Sequence, residues 1–83
     1  MILVLGDADD ARGMALAGAQ VVRCRTREEV TRSLARVARG DVSPSMVMVS
    51  APVYALASAE IDALRDRPRG PIVLVLPETA KMG

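Results

Sequence analysis

The sequence lacks histidine, tryptophan and phenylalanine, and it has a single tyrosine, Tyr54, and a single cysteine, Cys24. One cysteine cannot close a disulfide within the chain, and without histidine no Cys/His zinc site can be built. One aromatic ring is too few to form a stacking surface for bases or flat cofactors. We therefore expect no cofactor, no metal and a core of aliphatic side chains.

Neither sign of charge dominates, and the apolar runs are short. Eleven basic and ten acidic residues give a net charge of +1, which argues against a nucleic-acid-binding protein. Residues 1–5 lack the basic start and the length of a signal peptide, and no apolar run approaches the roughly 20 residues that span a bilayer. We expect one small cytoplasmic domain that does not insert into a membrane.

Four short apolar runs have the length of β-strands, and three of them are almost continuously apolar, as in parallel strands covered on both faces. The second run differs, because Val22 and Cys24 alternate with Arg23 and Arg25, which is typical of an edge strand with one wet face. The four predicted strands are residues 2–5, 20–24, 46–50 and 72–76.

The segment after the second strand has clear helix signals. Thr26 and Glu29 have the spacing of a capping box, and Gly40 is suited to end the helix, so the sequence predicts a helix over residues 27–39. The predicted buried stripe consists of Val30, Leu34, Val37 and Ala38.

The other two linking segments are less regular. Asp9 or Asp10 can cap a short first helix, which Gly18 would end with a left-handed turn. In the third segment we expect Pro52 to prevent a helix from starting at Ser50 and a helical turn to form only over residues 53–56. A further helix is predicted over residues 59–67, with Ser58 as N-cap and with Ala57, Ile61 and Leu64 facing inward.

Alternating strands and helices predict an α/β fold, a single small domain with a parallel four-stranded sheet and helices on both faces, as in Rossmann-like or receiver-like domains. The partly polar second strand and the apolar others fit the strand order 2-1-3-4. The fourth strand is then an edge, and its apolar character predicts that Ile72–Leu76 or the adjoining surface is covered by a partner or by a second copy of the chain.

Ligands of open parallel sheets bind beyond the carboxyl ends of the strands, where this chain has an acidic cluster. Asp7, Asp9 and Asp10 could hold Mg²⁺, as in receiver domains, but the third strand ends in Ser50 where a receiver needs a phosphorylatable aspartate. The only lysine, Lys81, lies in the tail beyond the fourth strand. We interpret the aspartates as helix-capping residues.

Other candidate sites are also incomplete. A dinucleotide fingerprint would need glycines at positions 6, 8 and 11, where the chain has Gly6, Ala8 and Ala11. Ser50 has no histidine to act as its base, and Cys24 is predicted to be a small buried hydrophobe. The arginines at positions 23, 25 and 27 fit either a basic stripe for an acidic partner or, as we prefer, a charged edge that blocks aggregation.

The first strand is followed by the pattern G-D-(x)6-G-x-x-L-A-G, from Gly6 to Gly18. The chain resembles the F subunit of the vacuolar and archaeal type of rotary ATPases in three features. These are this pattern, a helix opening at Glu28 and Glu29, and a last strand flanked by Pro71 and Pro77. The matches extend over nearly the whole chain. The resemblance implies that six residues define the fold or form contacts: Gly6, Asp7, Gly13, Leu16, Ala17 and Gly18.

The resemblance also implies a function. Members of that family are non-catalytic central-stalk subunits that lie beside the coiled-coil D subunit, while the A and B subunits carry out the ATP chemistry, and they bind no cofactor. The family usually continues into a C-terminal helix associated with regulation, and this sequence ends seven residues after Leu76. We expect either a truncated sequence or a variant that lacks that helix. The alternatives are a degenerate receiver-like signalling or interaction module and, less favoured, a small ligand-binding or enzymatic domain.

Overall fold

The fold is a parallel β-sheet with helices, seen in a computed structural model that describes residues 1–6 and 18–77. The strands pair in the order β2-β1-β3-β4, and every pair is parallel. The α/β class and the predicted order 2-1-3-4 are therefore confirmed. The strands are β1 (Ile2–Gly6), β2 (Gln20–Arg23), β3 (Met46–Ser50) and β4 (Ile72–Leu76), and the described helices are α1 (Arg27–Arg39), α2 (Ala51–Leu56) and α3 (Ser58–Arg65).

One face of the sheet forms the main core. Leu3 pairs with Val47, which pairs in turn with Val73, so the strand register aligns these side chains on one face. The buried residues of α1, α2 and α3 pack against that face in a single cluster. The helix predicted for the other face falls within residues 7–17, which lie outside the described part of the chain.

The second face of the sheet is also apolar. Val4 is 1% exposed, whereas on the edge strand β4 the side chains of Ile72 and Leu74 are 65% and 46% exposed. The register aligns these residues with Met46 and Met48 of β3. Ile72 and Leu74 of β4 are thus exposed in the single chain, and their cover by a partner or by a second copy stays a prediction.

Helix α1 follows its sequence signals closely. The Thr26 hydroxyl accepts a hydrogen bond from the Glu29 N–H, and Gly40 ends the helix with a φ of 82°. Val30, Leu34 and Val37 are buried, as predicted. Ala38 is exposed, contrary to the prediction, because it faces sideways toward α3 and away from the sheet.

The prediction for the segment after β3 was wrong about Pro52. Helix α2 begins at Ala51, with Pro52 in its first turn and Ser50 as N-cap. The Ser50 hydroxyl accepts a hydrogen bond from the Val53 N–H at 3.4 Å. A proline is tolerated there because the first N–H groups of a helix have no partner within the helix.

Helix α3 is shifted by one or two residues from the prediction. It begins at Ser58, and Ala57 is the N-cap without a side-chain cap, so Ser58 does not have the capping role expected of it. The helix ends at Arg65, two residues before Arg67. Arg67 precedes Pro68, and a proline disfavours helical geometry in the residue before it. Ala57, Ile61 and Leu64 are buried, as predicted.

The strand bounds differ by single residues. Strand β1 extends to Gly6, and β2 ends at Arg23, although the Cys24 N–H still donates to the Gly6 carbonyl at 3.1 Å. Strands β3 and β4 have the predicted bounds. Among the described residues, no helix is both long and apolar enough to cross a membrane.

Candidate functional site

The carboxyl ends of the strands meet at one edge of the sheet, where ligands of such folds bind. The described chain brings Gly6, Cys24 and Ser50 to this edge. Gly6 and Cys24 are joined by the backbone hydrogen bond between β1 and the end of β2, and Ser50 leads directly into α2. Of these three residues, Cys24 and Ser50 carry side chains that could act as nucleophiles.

Ser50 is a structural residue of α2. Its side chain is 4% exposed, and its hydroxyl oxygen accepts the hydrogen bond from Val53 that caps the helix. The chain contains no histidine that could take a proton from this hydroxyl. The last residue of β3 thus starts α2, and no described side chain forms a hydrogen bond that would activate its hydroxyl.

Cys24 is buried, as predicted, with 2% of its surface exposed. Burial raises the pKa of its thiol, and a hydrogen bond with Ser33 only partly opposes this increase. A thiol with a raised pKa stays protonated at neutral pH, and the protonated form is a poor nucleophile. Cys24 therefore acts as a small apolar side chain of the core.

A shallow pocket of about 350 Å³ opens beside these residues, lined by Cys24, Arg25, Pro52, Val53 and Leu56. Among its described lining residues, Arg25 carries the charge, and the backbone N–H of Arg25 donates to Glu29 Oε1 at 2.7 Å. Within residues 1–6 and 18–77, no three His, Cys, Asp or Glu side chains cluster to hold a metal ion. An arginine beside apolar side chains can bind an acidic or apolar surface.

The predicted basic stripe along β2 is divided. Arg23, Arg25 and Arg27 are all exposed, but the Arg27 guanidinium forms an ion pair with Glu60 of α3. Arg27 therefore links two helices. Among the described residues, neither Arg23 nor Arg25 forms a salt bridge.

The structure describes two of the six residues in the predicted motif. Gly6 is buried at the end of β1, and Gly18 lies just before β2 with a φ of 91°, the left-handed conformation that was predicted for it. Asp7, Gly13, Leu16 and Ala17 fall outside the described residues, as do Asp9 and Asp10. Their role in the fold or in contacts stays a prediction.

Sequence reasoning missed a groove between α1 and α3. This α1–α3 groove has a volume of about 430 Å³ and is lined by Thr31, Leu34, Ala35, Ala38, Glu60, Ala63, Leu64 and Arg67. The sequence feature that could have indicated the groove is Ala38. It is an alanine at the end of an apolar stripe whose other residues are larger. A short side chain at that position leaves space between two neighbouring helices.

The groove continues into a depression at the amino edge of the sheet. This depression, of about 360 Å³, is lined by Arg67 and Arg69 together with residues of the turns before β3 and β4, among them Ser43 and Ser45. Arg67 lines both cavities. The two cavities thus adjoin at Arg67, one between α1 and α3 and the other at the amino edge of the sheet.

Residues 2–83 match the family described as ATP synthase (F/14-kDa) subunit. The chain belongs to this family. The match covers all the described strands and helices and also the motif from Gly6 to Gly18, and it confirms the resemblance drawn from that motif. A comparison with curated proteins found no match. As an F-subunit family member, the chain is consistent with a component of a V/A-type ATP synthase, and family membership implies that it associates with other subunits.

Proposed function

We propose that this chain is a non-catalytic central-stalk subunit in the rotor of a V/A-type rotary ATPase. Its role is structural and regulatory, in coupling ATP hydrolysis or synthesis to the transport of protons or other ions. The observation that supports this role is the family match over residues 2–83. The engaged hydroxyl of Ser50 and the buried thiol of Cys24 add support, because neither is poised as a nucleophile.

The proposed partners are the D subunit of the stalk and the catalytic A and B subunits. In this proposal the chain lies on the cytoplasmic side and reaches the membrane only through the complex. Gly6, Asp7, Gly13, Leu16, Ala17 and Gly18 define the fold near the contact or form part of it. The exposed Ile72 and Leu74 of β4 are consistent with a further contact, either with a partner or with a second copy of this chain.

The test is reconstitution with the D, A and B subunits of the ATPase from the same organism. The purified chain should bind the D subunit in a pull-down, and it should have no ATPase activity of its own. Deletion of its gene should abolish ATP-driven ion pumping while the A and B subunits still bind nucleotide. The proposal is wrong if the chain neither binds the D subunit nor fractionates with the complex.

A degenerate receiver-like module is the second candidate, since receiver domains share the strand order 2-1-3-4. The capping role of Ser50 disfavours it, because a receiver needs a phosphorylatable aspartate at that position. Incubation with acetyl phosphate distinguishes the two candidates. Stable, stoichiometric labelling of an aspartate would support the receiver, and no labelling is expected of a stalk subunit.

A further inference from the structure

The α1–α3 groove has an apolar floor and short side chains along its walls. Leu34 and Leu64 form the floor and are 7% and 5% exposed, because they also belong to the core. Ala35 is half-buried, and Ala38 and Ala63 are exposed. Since an alanine side chain ends at Cβ, the side chains of another helix can fit between these walls, as ridges fit into grooves when helices pack.

The length of the groove corresponds to about two helical turns. On α1 its lining runs from Thr31 to Ala38, and on the other side it runs from Glu60 to Arg67. Seven residues of helix rise by roughly 10 Å. A partner helix would therefore contact the groove with residues at positions i, i+3 or i+4, and i+7.

The two ends of the groove differ in charge. At one end Glu60 Oε2 forms an ion pair with Arg27, and Glu60 Oε1 is buried without a hydrogen-bond partner among the described residues. At the other end Arg67 and Arg69 line the adjoining depression, and within the described part of the chain no carboxylate lies within salt-bridge distance of either guanidinium. The groove is thus apolar along its length and positively charged at one end.

We propose that the α1–α3 groove binds an amphipathic helix of a partner protein, with carboxylates near one end of its apolar stripe. The apolar stripe packs on Leu34 and Leu64, and the carboxylates pair with Arg67 and Arg69. The inference rests on the proposed function, because the partner is a helical stalk subunit of the ATPase. It adds the surface that is used and the chemistry that the partner must have.

A second copy of this chain is a poorer occupant. The apolar side chains of α1 are already buried in its own core, namely Val30, Leu34 and Val37. Those of α3, Ile61 and Leu64, are buried there as well. Neither helix of a second copy therefore has a free apolar stripe to lay into the groove.

The experiment measures binding of the full chain to the purified D subunit by isothermal titration calorimetry. Ala63→Arg fills the groove with a long charged side chain and should weaken binding by about tenfold or more. Its matched control is Ala55→Arg, the same change at an exposed alanine of α2, which should bind like the wild type. Circular dichroism verifies the fold, and Ala38→Arg repeats the test on α1 if the Ala63 variant fails to fold.

The charge part of the proposal has its own variant. Arg67→Glu should weaken binding by roughly threefold to thirtyfold and reduce the dependence of affinity on salt, because an attractive charge pair becomes repulsive. Arg23→Glu makes the same change at an exposed arginine of β2, outside the groove, and should have less than about a twofold effect.

The possible outcomes are distinct. If the wild type does not bind the D subunit, the proposed function fails and the inference fails with it. If the wild type binds and the groove variants bind equally well, the proposed function stands and the groove inference is wrong. If Ala63→Arg abolishes self-association in sedimentation without changing the affinity for the D subunit, a second copy occupies the groove and the inference is again wrong.

Discussion

The Tyr54 hydroxyl donates to the carboxylate of Asp62, at 2.9 Å to Oδ1 and 3.1 Å to Oδ2. The Arg65 guanidinium donates to the same Oδ1 at 2.7 Å. Tyr54 lies in α2 and Asp62 in α3. The hydrogen bond therefore joins two short helices that are separated by the non-helical residue Ala57. The contact fixes how α3, and with it one wall of the α1–α3 groove, is held relative to α2.

This contact predicts an unusual titration of the tyrosine. The hydrogen bond to Asp62 raises the pKa of Tyr54 above its ordinary value, and partial burial and the negative charge of Asp62 add to the increase. Since Tyr54 is the only tyrosine, absorbance at alkaline pH reports this residue alone. Asp62→Asn should lower the pKa of the phenol toward its ordinary value.

The matched control is Asp66→Asn, which removes an exposed carboxylate at the end of α3 that makes no hydrogen bond to Tyr54. It should leave the phenol titration where it is in the wild type. Identical titration curves for the wild type and the Asp62 variant would contradict the contact.

A second prediction concerns the capping box of α1 and acid. The backbone N–H groups of Arg25 and Thr26 donate to the Glu29 carboxylate at 2.7 and 3.2 Å, and these bonds lower the pKa of Glu29. In the acidic range the unfolded chain therefore binds more protons at Glu29 than the native chain does. The stabilisation is complete above the ordinary glutamate pKa of about 4.3 and is lost as the pH falls through the lower native pKa.

Urea denaturation at several pH values measures this effect. Glu29→Gln should flatten the acidic part of the curve of unfolding free energy against pH. Glu28→Gln is the control. Glu28 is the neighbour of Glu29 on α1, but it is exposed and is not the acceptor of the capping box. Equal flattening by both changes would show that the effect comes from overall charge and not from the capping box.

The accuracy of the sequence predictions followed how local each signal was. Thr26, Glu29 and Gly40 act within one or two turns, and they fixed the bounds of α1. The strand order followed from the arginines that interrupt the second apolar run, because only an edge strand tolerates them. Pro52 was misjudged because a proline that breaks a helix interior is harmless in the first turn, and the pattern alone did not show where that turn begins.

The candidate binding surface was harder to predict than the fold. Ala38 and Ala63, which are far apart in sequence, both line the α1–α3 groove, and no local pattern reports that they share a surface. The ion pair between Arg27 and Glu60 is equally distant in sequence. The motif from Gly6 to Gly18 was informative about the family but not about the groove, because only its two ends fall among the described residues.

The third prediction tests the end of α1. Gly40 has a φ of 82°, and apart from Gly40 and its chain neighbours no atom lies within 4 Å of the position that a Cβ would occupy. A substitution there therefore meets strain in the backbone and not a clash with another part of the chain. Gly40→Ala should lower the free energy of unfolding by roughly 1–2 kcal/mol. Gly40→Asn should lower it less, since asparagine tolerates the left-handed conformation. If urea denaturation shows that both variants lose the same free energy of unfolding, backbone strain at position 40 is not the cause of the loss.

The fourth prediction compares two isoleucines in very different settings. Ile61 of α3 is completely buried, whereas Ile72 of β4 is 65% exposed. Ile61→Val should lower the free energy of unfolding by about 0.5–1.5 kcal/mol and Ile61→Ala by about 2–5 kcal/mol. Both changes leave a cavity in the core, and the cavity left by alanine is the larger one. In a small domain with a total stability of roughly 5–15 kcal/mol, the alanine variant removes a large share.

Ile72→Ala is the matched control, and it should change the stability of the isolated chain by less than about 0.5 kcal/mol. Thermal and urea denaturation at low protein concentration measure both residues under the same conditions. A large loss on truncating Ile72 would mean that β4 is covered in solution, and that loss should then grow with protein concentration if the cover is a second copy. A loss that does not depend on concentration would instead mean that the chain itself covers Ile72.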